Sequence, residues 1–376
     1  MGFEQGPIRP PSESGSLLIR IGRNCPWNRC AFCPVYKGSE FSKRSVEEIV
    51  SDIDEVADAL DLVREESWRR GEGGSPSEAL LAGLLRTSHP GSAAQAAALW
   101  LLRGEGTVFL QDADPVSMSS EKLEKILAHL KRRLPGVRRV TAYARSATLA
   151  SRGPAKLSRL RDAGLDRVHV GFESGSDRVL ELVSKGVTAE MHVAGGRAAI
   201  EAGLELSAYV MPGLGGASLS REHAVESARC IALVEPNFTR LRTLAVVPRA
   251  PLAAMVGRGE FTPLGDDDTV REIRTFLERL EGVRTSLRSD HILNLLGDLE
   301  GDLPSDLDRL LGLVDSYLAL PETERRVYRL GRRAGLLRAP EDLADPRRRA
   351  RAEAILADVG TEGVDDACRE LMEQWV

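Results

Sequence analysis

The chain has 376 residues, of which 42% are hydrophobic and 28% are charged, a composition typical of a globular protein with one large or two smaller domains. Its formal net charge of −5 argues against a duplex-DNA binder held by bulk positive charge. The sequence has no apolar run of about 18 residues that could span a membrane, and its start lacks the apolar segment of a secretory signal. We therefore expect a cytoplasmic protein, in which clustered cysteines favour metals over disulfides.

Residues 1–15 predict a short disordered tail, and after them β-rich runs alternate with helical runs. The first strand is predicted at 16–22, and a helix at 45–60 begins with Ser45 as N-cap and Glu48 completing a capping box. A second strand with its loop is predicted at 106–115, and further strands are predicted at 137–145, 166–174, 204–216 and 239–252, with helices between them. Strands separated by helices indicate a parallel sheet with right-handed crossovers. The pattern predicts an α/β fold, a partial (βα)6 TIM-like barrel.

Two segments depart from this alternation. Residues 64–105 form a long connection with two helical pieces rich in alanine and leucine, and connections of this length are more often functional than plain linkers. From about residue 266 the strand signal disappears, and helices are expected instead. We therefore divide the chain into the tail, a core at 16–255 with the helical insertion 64–105, and a helical C-terminal extension at 256–376.

The stretch "CPWNRCAFCPVYKG" contains three of the five cysteines, Cys25, Cys30 and Cys33, with the spacing C-x4-C-x2-C. A structural zinc site needs four ligands, and neither Cys230 nor Cys368 lies in a second cysteine pair. A redox pair of Cys30 and Cys33 would leave Cys25 unexplained. Three thiolates on a 4Fe–4S cluster would leave one iron open, at the strand end where parallel α/β folds place their sites. The spacing favours the cluster, with zinc and redox sites as alternatives.

Together with later motifs, the cysteines resemble the radical S-adenosylmethionine superfamily. The usual spacing there is C-x3-C-x2-C, so this chain has one extra residue, and Phe32 supplies the aromatic residue before the last cysteine. The stretches "GFESGSDRVLELVSKG" (171–186), "YVMPGLGG" (209–216) and "VVPRAPL" (246–252) resemble the fourth, fifth and sixth strand regions of one branch. That branch contains oxygen-independent coproporphyrinogen oxidase, the methylthiotransferases and the elongator-type tRNA enzyme. The resemblance covers about 16–255.

This resemblance implies a 4Fe–4S cluster on the three cysteines and S-adenosylmethionine on the open iron. The implied contacts to S-adenosylmethionine are Phe32, Asp112, Ala113, Asp114, Arg145, Glu173, Ser174, Lys185, Gly213 and Val247. Asp112 or Asp114 would supply negative charge near the methionine amino group. Arg145 or Lys185 would pair with its carboxylate, because a buried anion needs a partner. Phe32 would lie near the adenine.

Some of these residues have ordinary structural alternatives. Glu173 could cap the helix that follows it, because acidic residues favour helix N-termini. Lys185 precedes a glycine and could serve a helix C-terminus. His291, in the extension, could reach the mouth of the barrel, although a satisfied or exposed histidine is the commoner case.

The resemblance implies an enzyme that forms a 5′-deoxyadenosyl radical and abstracts hydrogen from a small-molecule substrate, with an electron donor such as flavodoxin or ferredoxin. Three alternatives remain open: transfer of the 3-amino-3-carboxypropyl group, tRNA modification, and a non-catalytic cluster or zinc protein. The tRNA alternative depends on residues 324–351, which contain ten arginines and four acidic residues. Basic helices are usually only solvated, so a nucleic-acid partner is the less favoured alternative. The insertion and the extension should contact the substrate.

Overall fold

The computed structural model describes residues 2–104 and 106–375, which form two compact units. The first unit comprises the described residues of Met1–Asn28, Gly38–Val170 and Arg197–Leu206, and the second comprises those of Arg29–Lys37, Gly171–Gly196 and Ser207–Val376. No helix in these described parts is long and apolar enough to cross a membrane.

The elements up to the end of the fourth core strand are β1 (Leu17–Arg20), β2 (Gly22–Arg23), β3 (Ser42–Lys43), α1 (Val46–Arg69), α2 (Glu78–Thr87), α3 (Ala93–Arg103), β4 (Thr107–Gln111), α4 (Ser120–Arg133), β5 (Arg139–Ala144), α5 (Ser146–Ala163) and β6 (Arg167–Glu173). The elements that follow are α6 (Asp177–Leu182), α7 (Ala189–Glu201), β7 (Glu205–Val210), α8 (Gly216–Val234), β8 (Phe238–Leu241), α9 (Pro251–Gly257), α10 (Asp266–Glu278), β9 (Thr285–Arg288), β10 (Gly301–Leu303), α11 (Leu307–Ala319), α12 (Glu322–Arg333), α13 (Pro346–Val359) and α14 (Val364–Glu373).

Eight strands form a sheet in the order β1-β4-β5-β6-β7-β8-β9-β10. The pairs β1–β4, β4–β5, β5–β6, β7–β8 and β8–β9 are parallel, and β10 is antiparallel to β9. The predicted α/β class, its six core strands and the C-terminal helices are confirmed. The expectation of no strand after residue 266 is wrong. The strands β9 (TSLR) and β10 (GDL) are short and each contains a single large apolar residue, so neither forms the β-rich run that marks the core strands.

The predicted sixth strand is also too long. It was placed at 239–252, but β8 ends at Leu241 and α9 begins at Pro251. The intervening segment contains Pro248, which cannot donate a ladder hydrogen bond. The resulting loop follows the carboxyl end of β8, where it can line a site.

The long helix α1 begins with the predicted capping box. The Glu48 amide donates to Ser45 Oγ at 3.1 Å, and the Ser45 amide donates to Glu48 Oε2 at 2.7 Å. The helix continues past the predicted residue 60 to Arg69, and Val63 near its end packs in an apolar cluster with Leu81 of α2 and Ala98 of α3. These two helices lie in the segment 64–105, where two helical pieces were predicted.

The N-terminal segment differs from the disordered tail expected from its sequence. The Glu4 carboxylate pairs with Arg20 at 2.6 Å and with Arg23 at 2.8 Å. Glu13 is fully buried, and its Oε1 lies 3.1 Å from Nε2 of His169 on β6. These ionic contacts fasten residues 2–15 to the first unit, and they join residues too far apart in sequence for a local pattern to reveal them.

The C-terminal helices are joined by buried ion pairs. Asp266, the first residue of α10, lies between Arg329 and Arg333 of α12 and is 7% exposed. Arg325 pairs with Asp267 at 2.8 Å. The arginines of the basic run 324–351 are thus largely engaged within the chain, and Arg349 likewise pairs with Glu324.

Candidate functional site

The cysteine loop is closed at its stem by two asparagines of the first unit. Asn24 and Asn28 adopt left-handed backbone conformations, with φ of 71° and 43°, which asparagine tolerates better than most residues. Their side-chain amides donate to the carbonyls of Glu40 and Ser39. The Asn28 amide also donates to Cys25 Sγ at 3.4 Å. The stem thus holds Cys25, a half-buried free thiol, in a defined turn.

The body of the loop belongs to the second unit, where backbone hydrogen bonds fasten it. The Ala31 amide donates to the Val183 carbonyl at 2.8 Å, and the Leu252 amide donates to the Ala31 carbonyl at 2.9 Å. Cys30, directly before Ala31, and Cys33, two residues after it, are half-buried and form no disulfide. Two separate chain segments therefore fix the residue beside Cys30.

An apolar wall surrounds this part of the loop. Its buried members are Ala31, Val179, Val183, Met211, Leu214, Leu252 and Phe261. Phe32 packs against the wall, and Lys185 Nζ lies 5.5 Å from the centroid of the Phe32 ring, within the range of a cation–π contact. The wall gives Ala31 and Phe32 apolar surroundings, and the polarity and solvent access around an iron–sulfur cluster influence its potential.

The donor set of the loop fits an iron–sulfur cluster. Its three cysteines form no disulfide and come from nine consecutive residues, and thiolates are the ligands of such clusters. Among the described residues, no group of three or more histidine, cysteine, aspartate or glutamate side chains is arranged to hold a single metal ion. Cys25, Cys30 and Cys33 as cluster ligands remain a prediction.

Glu173 and Lys185 form a half-buried ion pair at the carboxyl end of β6. Lys185 Nζ donates to Glu173 Oε1 at 3.0 Å, and the two side chains are 11% and 14% exposed. A Cβ on Gly171 would lie 2.0 Å from this Glu173 oxygen, so a larger residue there would displace the carboxylate from this position. Glu173 does not cap α6, because Ser176 Oγ accepts from the Val179 amide in that role. The side-chain positions leave both residues as candidates for contact with S-adenosylmethionine.

Gly213, in the loop after β7, is held by a glutamate of α10. Its amide donates to Glu272 Oε1 at 2.6 Å, and Ser220 Oγ donates to Glu272 Oε2 at 2.6 Å. Gly213 has φ of 89°, a conformation that favours glycine. Glu272 is 4% exposed, and its role was not predicted from the sequence. The signal for it was a charged residue on the apolar face of α10, between Val270 and Ile273.

His223 of α8 connects two loops of the second unit. Its Nδ1 lies 2.9 Å from Ser174 Oγ, just after Glu173, and its Nε2 lies 3.0 Å from the Met211 carbonyl. The ring is 1% exposed. No local motif distinguishes this histidine from the others in the chain. Because Ser174 is bound to His223, its predicted contact with the cofactor would involve its backbone.

The remaining predicted residue of this unit, Val247, is buried in the loop after β8. Its carbonyl accepts from the Ala250 amide at 2.9 Å, which forms the turn before α9. The backbone of this turn is the part available to line a ligand.

In the first unit, Asp112 is already paired. Its Oδ2 accepts from Arg20 Nε at 2.9 Å and from the Asn24 amide at 3.0 Å, and the residue is 2% exposed. Asp112 thereby connects the end of β4 to the stem of the cysteine loop. The neighbouring Ala113 is half-buried.

The carboxylate of Asp114 forms hydrogen bonds with the first turn of α5. It accepts from Thr148 Oγ1 at 2.6 Å and from the Arg145 amide at 3.3 Å. Burial raises the pKa of Asp114 to about 6, despite these hydrogen bonds and the nearby Arg145 and Arg152. The Arg145 guanidinium itself lies 5.1 Å from the centroid of the Trp27 ring.

We expect Asp114→Asn to remove a pH-dependent part of the stability. The folded-state pKa of about 6 exceeds the unfolded value of 3.8. Protonated Asp114 therefore stabilises the fold below about pH 4, and this contribution is lost as the pH rises through about 6. The loss should be on the order of 3 kcal/mol in the wild type and absent in the variant. Urea unfolding between these pH values would measure it, with the exposed Asp162→Asn as control. Parallel pH profiles of wild type and Asp114→Asn would contradict the expectation.

The second unit also contains a cavity of about 250 Å³, slightly smaller than the roughly 300 Å³ at which ligand pockets commonly begin. It is lined by Gly213, by 243–246 and 262–266, and by side chains of α12 and α14 that include Arg329 and Asp365. The C-terminal helices thus border a cavity beside the loop after β7.

Comparisons with known proteins were made on the sequence and on the fold. Residues 94–228 match the family model described as the radical SAM superfamily. No curated protein matches the chain.

Several solved structures are similar at low identity. Elp3 of the archaeon Methanocaldococcus infernus, with an N-terminal deletion, is 17% identical over 65% of this chain and 57% of that chain, with a TM-score of 0.42. The Escherichia coli coproporphyrinogen III oxidase, described as a radical SAM enzyme, is 14% identical over 96% and 90%, with a TM-score of 0.43. TsrM of Kitasatospora setae, a radical S-adenosylmethionine methyltransferase, is 16% identical over 64% and 38%, with a TM-score of 0.41. This chain spans less than two thirds of the Elp3 and TsrM chains.

Proposed function

We propose that the chain belongs to the radical S-adenosylmethionine superfamily and that it uses a 4Fe–4S cluster to cleave S-adenosylmethionine reductively into methionine and a 5′-deoxyadenosyl radical, which takes a hydrogen atom from a small-molecule substrate. The observation that carries the proposal is the family match at residues 94–228, downstream of a loop with three cysteines that form no disulfide. The cofactors supply the difficult chemistry, and the protein supplies binding, orientation and exclusion of water.

The residues of the second unit have roles that follow from their contacts. Cys30 and Cys33 would hold the cluster beside the apolar wall, and the fixed backbone of Ala31 would keep their spacing. Lys185 can offer its ammonium group to a carboxylate while it remains near Glu173. The wall around Phe32 would exclude water from the reacting groups.

In the first unit, Cys25 would be the third ligand. Asp112 is bound to Arg20 and to the stem of the loop, so we assign it to positioning Cys25 rather than to direct contact with the methionine amino group. Arg145, over Trp27, remains a candidate for the methionine carboxylate.

The ion pairs formed by arginines of the basic run 324–351 favour a small-molecule substrate over RNA. Arg325, Arg329 and Arg349 are bound to aspartates or glutamates of this chain, which leaves less free charge for a phosphate backbone. The cavity next to α12 and α14 has room for a small molecule. The reducing electron would come from a donor such as flavodoxin or ferredoxin.

The test is an anaerobic reconstitution with iron and sulfide, followed by dithionite and S-adenosylmethionine and by mass spectrometry of the nucleosides. We expect 5′-deoxyadenosine. Methylthioadenosine instead would indicate transfer of the 3-amino-3-carboxypropyl group. Neither nucleoside, with bound zinc and no iron, would show that the cysteines are structural and would overturn the proposal.

A further inference from the structure

Three arginines share one face of the sheet near the carboxyl ends of β8 and β9. In the parallel register, Arg240 of β8 pairs with Tyr209 of β7 and with Arg288 of β9, and paired residues point to the same face. Arg242 follows Arg240 by two residues and continues that face just beyond the last residue of β8. Open parallel sheets bind their ligands outside these carboxyl ends.

Two of these arginines already have carboxylate partners. Arg240 is 5% exposed, is ion-paired to Asp290 and donates from Nε to Ser207 Oγ at 3.1 Å. Arg288 Nη2 lies 3.4 Å from Asp302 Oδ1.

Arg242 differs from its two neighbours. It is half-buried, and within residues 2–104 and 106–375 no carboxylate forms an ion pair with it. A guanidinium that has lost part of its hydration without gaining a carboxylate has unmet capacity for an anion.

The side chain beside Arg242 is a neutral hydrogen-bond donor. His291 Nδ1 accepts from the Leu293 amide at 3.2 Å, so the proton of the neutral ring lies on Nε2. Burial and the charge of Arg242 lower the pKa of His291 to about 3, which keeps the ring neutral in the physiological range. A neutral N–H and a guanidinium can bind the same anion without repelling each other.

Asn294 ties the segment around Arg242 to the segment that contains His291. Its Nδ2 donates to the Leu241 carbonyl at 2.8 Å, and its Oδ1 accepts from the Thr243 amide at 2.9 Å. The backbone on either side of Arg242 is therefore attached to the segment that contains His291. Such attachment reduces the entropy lost when a ligand orders the side chains.

We propose that Arg242, with His291 beside it, binds an anionic group of the substrate, a carboxylate or a phosphate. The identification of the ligand as a substrate rests on the proposed function. The existence of the anion site does not depend on that function. The planar fork of an arginine matches both anions bidentately.

The test measures anion binding to the reconstituted full-length protein without turnover. Inorganic phosphate and malonate serve as probes in equilibrium dialysis. We expect one of them to bind, and Arg242→Gln to weaken that binding at least about 10-fold, while Arg242→Lys retains part of it. The matched control is Arg258→Gln, an exposed arginine paired with Glu260, which should leave the affinity unchanged.

His291→Leu provides a second variant in case Arg242→Gln fails to fold, and we expect a loss of several-fold. The inference is overturned if the wild type binds neither probe, or if both site variants bind as tightly as the wild type. It is also overturned if S-adenosylmethionine displaces the probe, because the site would then belong to the methionine carboxylate. These outcomes are separate from a failure to form 5′-deoxyadenosine, which would reject the radical reaction and leave the anion result intact.

Discussion

Replacing Cys30 by alanine should abolish the formation of 5′-deoxyadenosine, with a decrease of at least about 100-fold, and should lower the bound iron. Cys30 adjoins Ala31, whose amide and carbonyl both form backbone hydrogen bonds. These bonds oppose a shift of the loop that would bring another ligand into the place of the lost thiolate. Cys25→Ala and Cys33→Ala should have the same effect, because each removes one of the three cluster ligands.

The two other cysteines provide matched controls. Burial raises the pKa of Cys230 and of Cys368 to about 12, so both remain protonated and act as small apolar residues. Cys230→Ala and Cys368→Ala should therefore keep their iron and their nucleoside product. The measurements are iron and sulfide analysis, visible absorbance and mass spectrometry. A Cys30→Ala protein with full iron content and undiminished product would remove the loop from the cofactor site.

The core strands could be predicted because each is a β-rich run followed by a helical run. This β-rich signal is absent at β9 and β10, which are short and contain few apolar residues. In β9, "TSLR" (Thr285–Arg288), exposure alternates over only four residues, and polar side chains make up most of the segment. Strands of this kind are stabilised by their neighbours in the sheet rather than by their own composition.

The residues of the candidate site likewise include some that local sequence patterns indicate and some that they do not. The cysteines and Glu173 are marked by local motifs at strand ends, so the sequence could indicate them. Glu272 and His223 act from helices, where a polar residue in an amphipathic pattern usually belongs to the solvent face. Only the tertiary structure shows that they turn inward to hold Gly213 and Ser174.

The basic run shows the opposite failure, in which a sequence signal was present but its meaning was ambiguous. Counting charges within 324–351 cannot include Asp266, which lies well before the run in sequence and yet neutralises Arg329 and Arg333. Local net charge therefore overstated the free positive surface. Non-local ion pairs of this kind also account for the N-terminal segment, where Glu4 binds Arg20 and Arg23.

Asp266→Asn should lower the free energy of unfolding by about 3–5 kcal/mol, because it leaves buried arginines without their counter-charge. Burial alone would raise the pKa of Asp266, but the charges of Arg333 and Arg329 hold it below its ordinary value. A lowered pKa means that this contribution is present above pH 3.8 and disappears as the pH falls through the folded-state pKa. Asparagine keeps the shape of the side chain and removes only the charge.

The neighbouring Asp268 is the matched control. It lies on the same first turn of α10 but is 61% exposed and pairs with the exposed Arg271, so Asp268→Asn should change stability by less than about 0.5 kcal/mol. Urea unfolding of both variants gives the comparison. If Asp266→Asn stays within about 1 kcal/mol of the wild type, Asp365 must suffice as the partner of Arg329.

The same substitution should also weaken the anion site. Arg333 donates from Nη1 to the Leu293 carbonyl at 2.7 Å, and Leu293 is the residue whose amide orients His291. An Arg333 released from Asp266 would no longer hold this segment in place. We therefore expect Asp266→Asn to bind the probe anion less tightly at temperatures where it remains folded, whereas Asp268→Asn binds it normally. Unchanged affinity in a folded, destabilised Asp266→Asn protein would show that Asn294 alone positions His291.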